Sequence, residues 1–239
     1  MKRAIIIGAT SGIGKELALV LAREGYSVGI TGRRLDMLQD LKSKINSEAF
    51  IKQIDLCHPE EACELISELI EDMGGIDLMV INSGVGIYNK TMAFEPEKQT
   101  IDVNVSGFVA MAALAYRYFA KNGGGHIVGV SSVAALRGHH AAPAYNASKA
   151  FVSNYMEGLR VKAIRQKTGI YITDIRPGFV DTPMTKQNKG MFWVATPQIA
   201  AEQIYSAIKR KQHIAYVTRR WKLIAWLYRI MPFWVVKKL

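Results

Sequence analysis

Short apolar runs alternate with helical stretches along almost the whole chain, and this alternation restricts the fold more than any other feature. Runs suited to strands fall at residues 4–7, 27–31, 50–54, 78–81, 126–130 and 170–175. Helical patterns lie between them, at 15–24, 35–46, 60–72, 98–120 and 144–167. A strand that returns through a helix to its neighbour runs parallel to it, and a sheet built this way needs cover on both faces. The expected class is α/β, a doubly wound parallel sheet of about seven strands in one domain. Ligands of such sheets bind beyond the carboxyl ends of the strands. The residues that follow each strand therefore carry the functional information.

The first strand runs into Gly8-Ala9-Thr10-Ser11-Gly12-Ile13-Gly14, and a helix follows. Glycines let the backbone turn tightly and approach a pyrophosphate, whose charge is favoured at a helix N-terminus. Gly8, Thr10, Ser11, Gly12, Ile13 and Gly14 are thus candidates for holding a dinucleotide in a Rossmann-type fold. A bare strand-to-helix turn would use the same glycines. The second strand ends at Gly32-Arg33-Arg34. An acidic residue there would accept from the adenosine 2′-hydroxyl, whereas arginine accommodates a 2′-phosphate. NADP(H) is expected rather than NAD(H), with Arg33 as the leading contact and Arg34 and the Ser11 hydroxyl as lesser ones. After later strands come Asp55-Leu56, where the carboxylate could accept from the adenine amine, Asn82-Ser83-Gly84, and Pro177-Gly178 with Val180 and Thr182, which gathers them at the same edge of the sheet.

The apolar run at 126–130 leads to Ser132, followed by Tyr145 and Lys149. If Ala144 onward is helical, Tyr145 and Lys149 share a face one turn apart. A nearby ammonium favours a phenolate and lowers a pKa that is ordinarily about 10. Such a phenol can donate and accept protons near neutral pH, while Ser132 holds a substrate oxygen. A Tyr and a Lys four apart are common on helices; the glycine loop is what raises this pair above background.

Composition narrows the context. The two cysteines, Cys57 and Cys63, match no metal or redox spacing, so no metal is expected and a reducing, cytoplasmic compartment suits them. The apolar run at the N-terminus is too short for a signal peptide. Of the net charge of +11, nine Lys or Arg lie from Gln203 to Leu239 with no Asp or Glu, leaving only +2 on the rest. Nucleic-acid binding would spread basic charge over a groove-lining face, so no nucleic-acid partner is expected.

The glycines at 8, 12 and 14, the Ser132-to-Tyr145 spacing, Tyr145-x-x-x-Lys149, and Pro177-Gly178 with Thr182 together resemble the short-chain dehydrogenase/reductase family, over residues 3–217. The resemblance implies an NADP(H)-dependent oxidoreductase acting on CH–OH and C=O groups. Tyr145 would be the acid/base, and Lys149 would lower its pKa and hold the nicotinamide ribose. Ser132 would orient the carbonyl, and Asn104 would hold a water linking Lys149 to solvent. Asp55 would meet the adenine, Asn82 would support the cofactor, and Thr182 would contact its carboxamide or phosphates. A homodimer or homotetramer is also implied, with helices 98–120 and 144–167, which carry Ala110, Ala112, Ala113, Ala115, Tyr116, Phe119, Phe151 and Tyr155, pairing between subunits. Two departures concern how the glycine loop is held. Ile7 stands where the family has Thr, and Ile81-Asn82-Ser83-Gly84 replaces Asn-Asn-Ala-Gly.

Val85, Tyr88, Leu136, Met184, Phe192 and Trp193 are expected to line an apolar substrate pocket under a segment that closes like a lid. Lys186 and Lys189 read as solvated, and His139 and His140 as polar surface. The expected reaction is reduction of an apolar ketone or aldehyde by NADPH. The alternatives are a reductase of a membrane lipid or lipid-linked ketone, and a catalytically idle NADPH-binding regulator. A catalytic domain of residues 1–218 would be followed by an extension, 219–239, rich in basic and aromatic residues. It is too short and charged to span a bilayer. Peripheral contact with the inner membrane surface, packing on another subunit, or cover for the pocket would each accommodate it.

Overall fold

The computed structural model describes every residue except Gln187, Lys189, Lys238 and Leu239, so the reading of Lys189 lies outside the described residues. Its strands are β1 (Lys2–Ile7), β2 (Tyr26–Gly32), β3 (Ala49–Gln53), β4 (Leu78–Ile81), β5 (Gly125–Val130), β6 (Ile170–Pro177) and β7 (Ile214–Val217). They pair in the order β3-β2-β1-β4-β5-β6-β7, every neighbour parallel. The winding reverses between β1 and β4, which opens a crevice above their carboxyl ends.

The helices are α1 (Gly12–Arg23), α2 (Leu35–Ser43), α3 (Pro59–Asp72), α4 (Phe94–Ile101), α5 (Phe108–Lys121), α6 (Pro143–Gln166), α7 (Pro197–Lys209), α8 (Trp221–Ile230) and α9 (Phe233–Val236). Alternate residues of β1 feed two cores, because successive side chains of a strand point to opposite faces. Ile5 and Ile7 join Leu69, Phe108 and Met156 of α3, α5 and α6. Ala4 and Ile6 join Leu17, Leu38 and Ile204 of α1, α2 and α7. All four β1 side chains are fully buried. This explains why the strand reads as a continuous apolar run rather than an alternating one.

The doubly wound α/β expectation holds, with differences at several elements. The helix expected over 98–120 is α4, a π-helical turn at Asp102–Gly107, and α5 in succession. The wider turn has no signature in hydrophobic periodicity. The first helix begins at Gly12 rather than residue 15, so the last two loop glycines belong to its first turn. A Cβ on Gly14 would stand 2.0 Å from the Gly8 carbonyl oxygen, and glycine there lets α1 press against the loop. The second helix stops at Ser43. Between residues 183 and 218 the sequence marked no helix or strand, and the structure adds α7 and β7.

Candidate active site

The crevice begins at the N-terminus of α1. The Ser11 side chain makes no capping bond and the first turn holds no acidic residue, so nothing from the chain neutralises the positive end of the helix. Gly8, at φ +90°, lies so close to Ser83 that a Cβ would meet its Oγ at 2.4 Å. At Gly12 a Cβ would meet the Thr182 methyl at 2.9 Å. The ends of β1, β4 and β6 are thus packed together through glycine. Hydrogen bonds make the ties. Asn82 Nδ2 donates to the Gly8 carbonyl at 2.8 Å, and the amides of Asn82 and Ser83 donate to the Ile7 carbonyl at 3.0 and 2.8 Å. Since the Ile7 carbonyl carries these bonds, its side chain is left to the core.

At the end of β2 the two arginines differ in their contacts. Arg34 Nη2 donates to the hydroxyls of Thr10 at 2.7 Å and Ser11 at 3.2 Å. Arg33 borders the same cavity, and its carbonyl accepts from Gln53 Nε2 at 2.8 Å. Arg34 is therefore the one joined to the glycine loop. Asp55 accepts from the Cys57 amide at 3.0 Å, which folds the turn after β3.

The opposite wall carries the Ser, Tyr and Lys. Ser132 starts a short 3₁₀ turn, Val133–Leu136, by accepting from the Ala134 amide at 3.1 Å. Lys149 is 5% exposed and donates to the Val130 carbonyl at 2.9 Å. Its Nζ lies 5.9 Å from the centroid of the Tyr145 ring. Burial lowers the Lys149 pKa to about 8, against the opposing pull of Asp174. The expectation that Tyr145 is lowered is overturned for the ligand-free chain. Burial raises it, with neighbouring Ser132 opposing more weakly. The physical reason is desolvation of the phenolate, while the ammonium meant to stabilise it is directed to Val130.

Asn104 sits in the π-helical turn. Its Oδ1 accepts from the Val85 amide, and its Nδ2 donates to the Val85 carbonyl, each at 2.8 Å, and to Ser148 Oγ at 3.0 Å. It ties the loop after β4 to α6. Gly84 makes room for this, since a Cβ would stand 3.1 Å from Lys149 Nζ and 3.3 Å from Asn104 Oδ1.

A cavity of about 260 Å³ runs between the two walls. It brings together Gly8, Thr10, Ser11, Gly12 and Ile13 with Arg33, Arg34, Asp55 and Leu56. Beyond them lie Asn82, Ser83, Gly84 and Val85, then Ser132, Tyr145 and Lys149, and finally Pro177, Gly178, Val180, Thr182 and Met184. Gly14 and Asn104 stand behind the lining. Tyr88 does not line the cavity; its hydroxyl donates to Asn188 Oδ1 at 2.7 Å. Leu136 is partly buried in the 3₁₀ turn. Phe192 and Trp193 do not line the cavity. They pack on Trp221 at the start of α8, with ring centroids 5.1 and 6.1 Å from its own.

One group escaped the sequence reading. Asp174 of β6 accepts from Ser131 Oγ, from Ser153 Oγ at 2.8 Å and from Arg176 Nε at 2.7 Å. The ion pair is almost fully buried, directly behind the Lys149 wall. The signal was present as two charged residues inside a strand covered on both faces, where a charge needs a partner.

The profile of the family described as short chain dehydrogenase matches residues 2–191. An uncharacterized oxidoreductase of Myxococcus xanthus is 39% identical over 192 residues, which are 78% of this chain and 75% of that protein. Among solved structures, a short-chain type dehydrogenase/reductase from Mycobacterium marinum superposes with a TM-score of 0.82 at 24% identity, covering 90% of this chain and 93% of that one. Acetoin dehydrogenase YohF from Salmonella typhimurium superposes with a TM-score of 0.80 at 25% identity, covering 90% and 94%. The glycine loop at the sheet switch point, the Ser-Tyr-Lys wall and the matching profile lead to one conclusion: the chain is an oxidoreductase of the short-chain dehydrogenase/reductase family, whose members use nicotinamide cofactors.

Proposed function

We propose that this protein is an NADPH-dependent carbonyl reductase that converts a ketone or aldehyde of an apolar substrate to the alcohol. The observation that carries the reading is the single cavity joining the α1 N-terminus and Arg34 at one end to Ser132, Tyr145 and Lys149 at the other. The residues fit a dinucleotide phosphate. The helix end lacks an acidic neighbour, glycines stand where a Cβ would collide, and Arg33 and Arg34 line the cavity, where they could meet a 2′-phosphate. When bound, the cofactor supplies the hydride.

The chain's own residues do the rest. Ser132 Oγ donates to the carbonyl oxygen and orients it, and Tyr145 delivers the proton as charge grows there. Burial favours neutral Tyr145, which is the form a donor must have for reduction. Lys149 holds the cofactor ribose and places a cation beside the phenolate left behind. Asn104, through a water, connects Lys149 to solvent. NADPH absorbance followed with a panel of ketones and aldehydes of increasing apolar size tests this. No turnover with any of them would leave the catalytic half without support, and faster turnover with NADH would reverse the cofactor assignment.

A further inference from the structure

Helix α8 is apolar on two faces. The inner face is docked on the protein. Trp221 is 2% exposed and lies so close to Gly178 that a Cβ there would stand 2.0 Å from the indole. Arg137 holds the other end, donating to the carbonyls of Tyr228 at 2.6 Å, Arg229 at 3.1 Å and Met231 at 2.7 Å. The outer face carries Leu223, Trp226, Leu227 and Ile230, spaced i, i+3, i+4 and i+7 as one stripe. They are 57%, 57%, 38% and 59% exposed, and Phe233 and Trp234 prolong the stripe at 79% and 63%. A helix packed on a globule by one face ordinarily presents polar residues on the other, and an apolar patch left in water marks an interaction surface.

The charge around the stripe says what covers it. Arg219, Lys222, Arg229 and Lys237 flank or interrupt the stripe in sequence, and no Asp or Glu occurs after Glu202. A two-fold contact with a second copy would bring these like charges together. An anionic lipid surface takes both features, with aromatic rings at the headgroup level and basic side chains against the phosphates. Among the described residues no helix is long and apolar enough to cross a membrane. We propose that α8 and α9 form a seat that lies flat on an anionic bilayer surface, held to the catalytic body by Arg137 and Trp221. This docking stands independently of the reductase reading.

The test is flotation of the full chain with phosphatidylcholine vesicles, with and without phosphatidylglycerol, at low and high salt. The wild type should float with the anionic vesicles at low salt, stay behind with neutral ones, and be released by salt. Trp226→Ser combined with Ile230→Ser, which leaves Trp221 and Arg137 in place, should weaken partitioning by about tenfold or more while NADPH binding is unchanged. Lys222→Glu combined with Arg229→Glu gives an independent variant on the charge alone, and should also lose flotation. Flotation equal on both vesicle types, no flotation at low salt, or unchanged flotation of both variants overturns the proposal. A wild type that binds no vesicles, together with loss of a subunit contact in the Trp226 and Ile230 variant, assigns the face to a second copy and overturns it too.

Discussion

The Lys149 ammonium donates to the Val130 carbonyl at 2.9 Å, which ties α6 to the carboxyl end of β5 on the wall that also bears Tyr145. The lysine is thus held by the sheet itself, and the pair four apart on the helix gains a fixed position relative to the crevice. Burial leaves Tyr145 raised and Lys149 lowered to about 8, so a protonated phenol faces the cavity at neutral pH.

Tyr145→Phe removes the proposed donor and nothing else of size. Turnover should fall about 10²- to 10⁴-fold, with NADPH affinity nearly intact. Steady-state kinetics beside a fluorescence titration of NADPH separates the two, and a variant retaining most of its activity would end the Tyr145 mechanism.

Arg34→Ala should weaken NADPH more than NADH, by about 1.5–3 kcal/mol for a charge-assisted contact to the 2′-phosphate. The bonds to Thr10 and Ser11 place this residue ahead of Arg33, so Arg33→Ala should have the smaller effect. Paired titrations with both cofactors measure the difference. Equal losses for NADPH and NADH would show that neither arginine meets the phosphate.

Gly178→Ala forces a methyl group onto the Trp221 indole, whose nearest atom would be 2.0 Å away. Overpacking of this kind costs about 1–3 kcal/mol. Urea unfolding should show the loss, and a blue-to-red shift of tryptophan emission should report Trp221 leaving its site. Unchanged stability would mean that α8 is not packed there in solution.

His126 links stability to pH. The Thr173 hydroxyl donates to the Gln212 carbonyl, so His126 Nε2 must be the donor in its 2.8 Å bond to Thr173. The edge of the Tyr171 ring and the Lys211 charge lie nearby. Burial first, and Lys211 second, lower the pKa from 6.5 to about 4. The unfolded chain therefore binds this proton more readily than the folded one. The contribution is complete above pH 6.5 and is lost as pH falls towards 4. Denaturant midpoints across that window should drop with pH, and His126→Gln should flatten the slope. An unchanged slope in the variant would assign the effect to other groups.

Assembly is the last expectation. Much of the apolar content of α5 is used inside the subunit, where Ala112, Ala115, Tyr116 and Phe119 are buried. On α6, Phe151 is exposed and stacked on Tyr155 with centroids 5.7 Å apart, and Val161 and Ile164 are exposed further along the helix. These should form a two-fold contact, so light scattering at micromolar concentration should give a dimer or tetramer. Phe151→Glu should shift it towards the monomer.

The class of fold and most of the crevice were legible in the sequence, because local chemistry specifies them. Apolar runs between helices dictate a covered parallel sheet, and Gly8, Asp55, Asn82, Ser132 and Pro177 follow strands, where topology alone gathers them. Spacing along one helix face was enough to pair Tyr145 with Lys149. What tertiary structure decided depends on contacts between residues far apart in the chain. It made Arg34 rather than Arg33 the loop contact, and it enclosed the Asp174–Arg176 pair. It took Phe192 and Trp193 out of the cavity, because Trp221, distant in sequence, offered them an aromatic surface. It also reversed the direction of the Tyr145 shift. Desolvation depends on everything packed around a group, and neighbours four residues away supply only a small part of that environment.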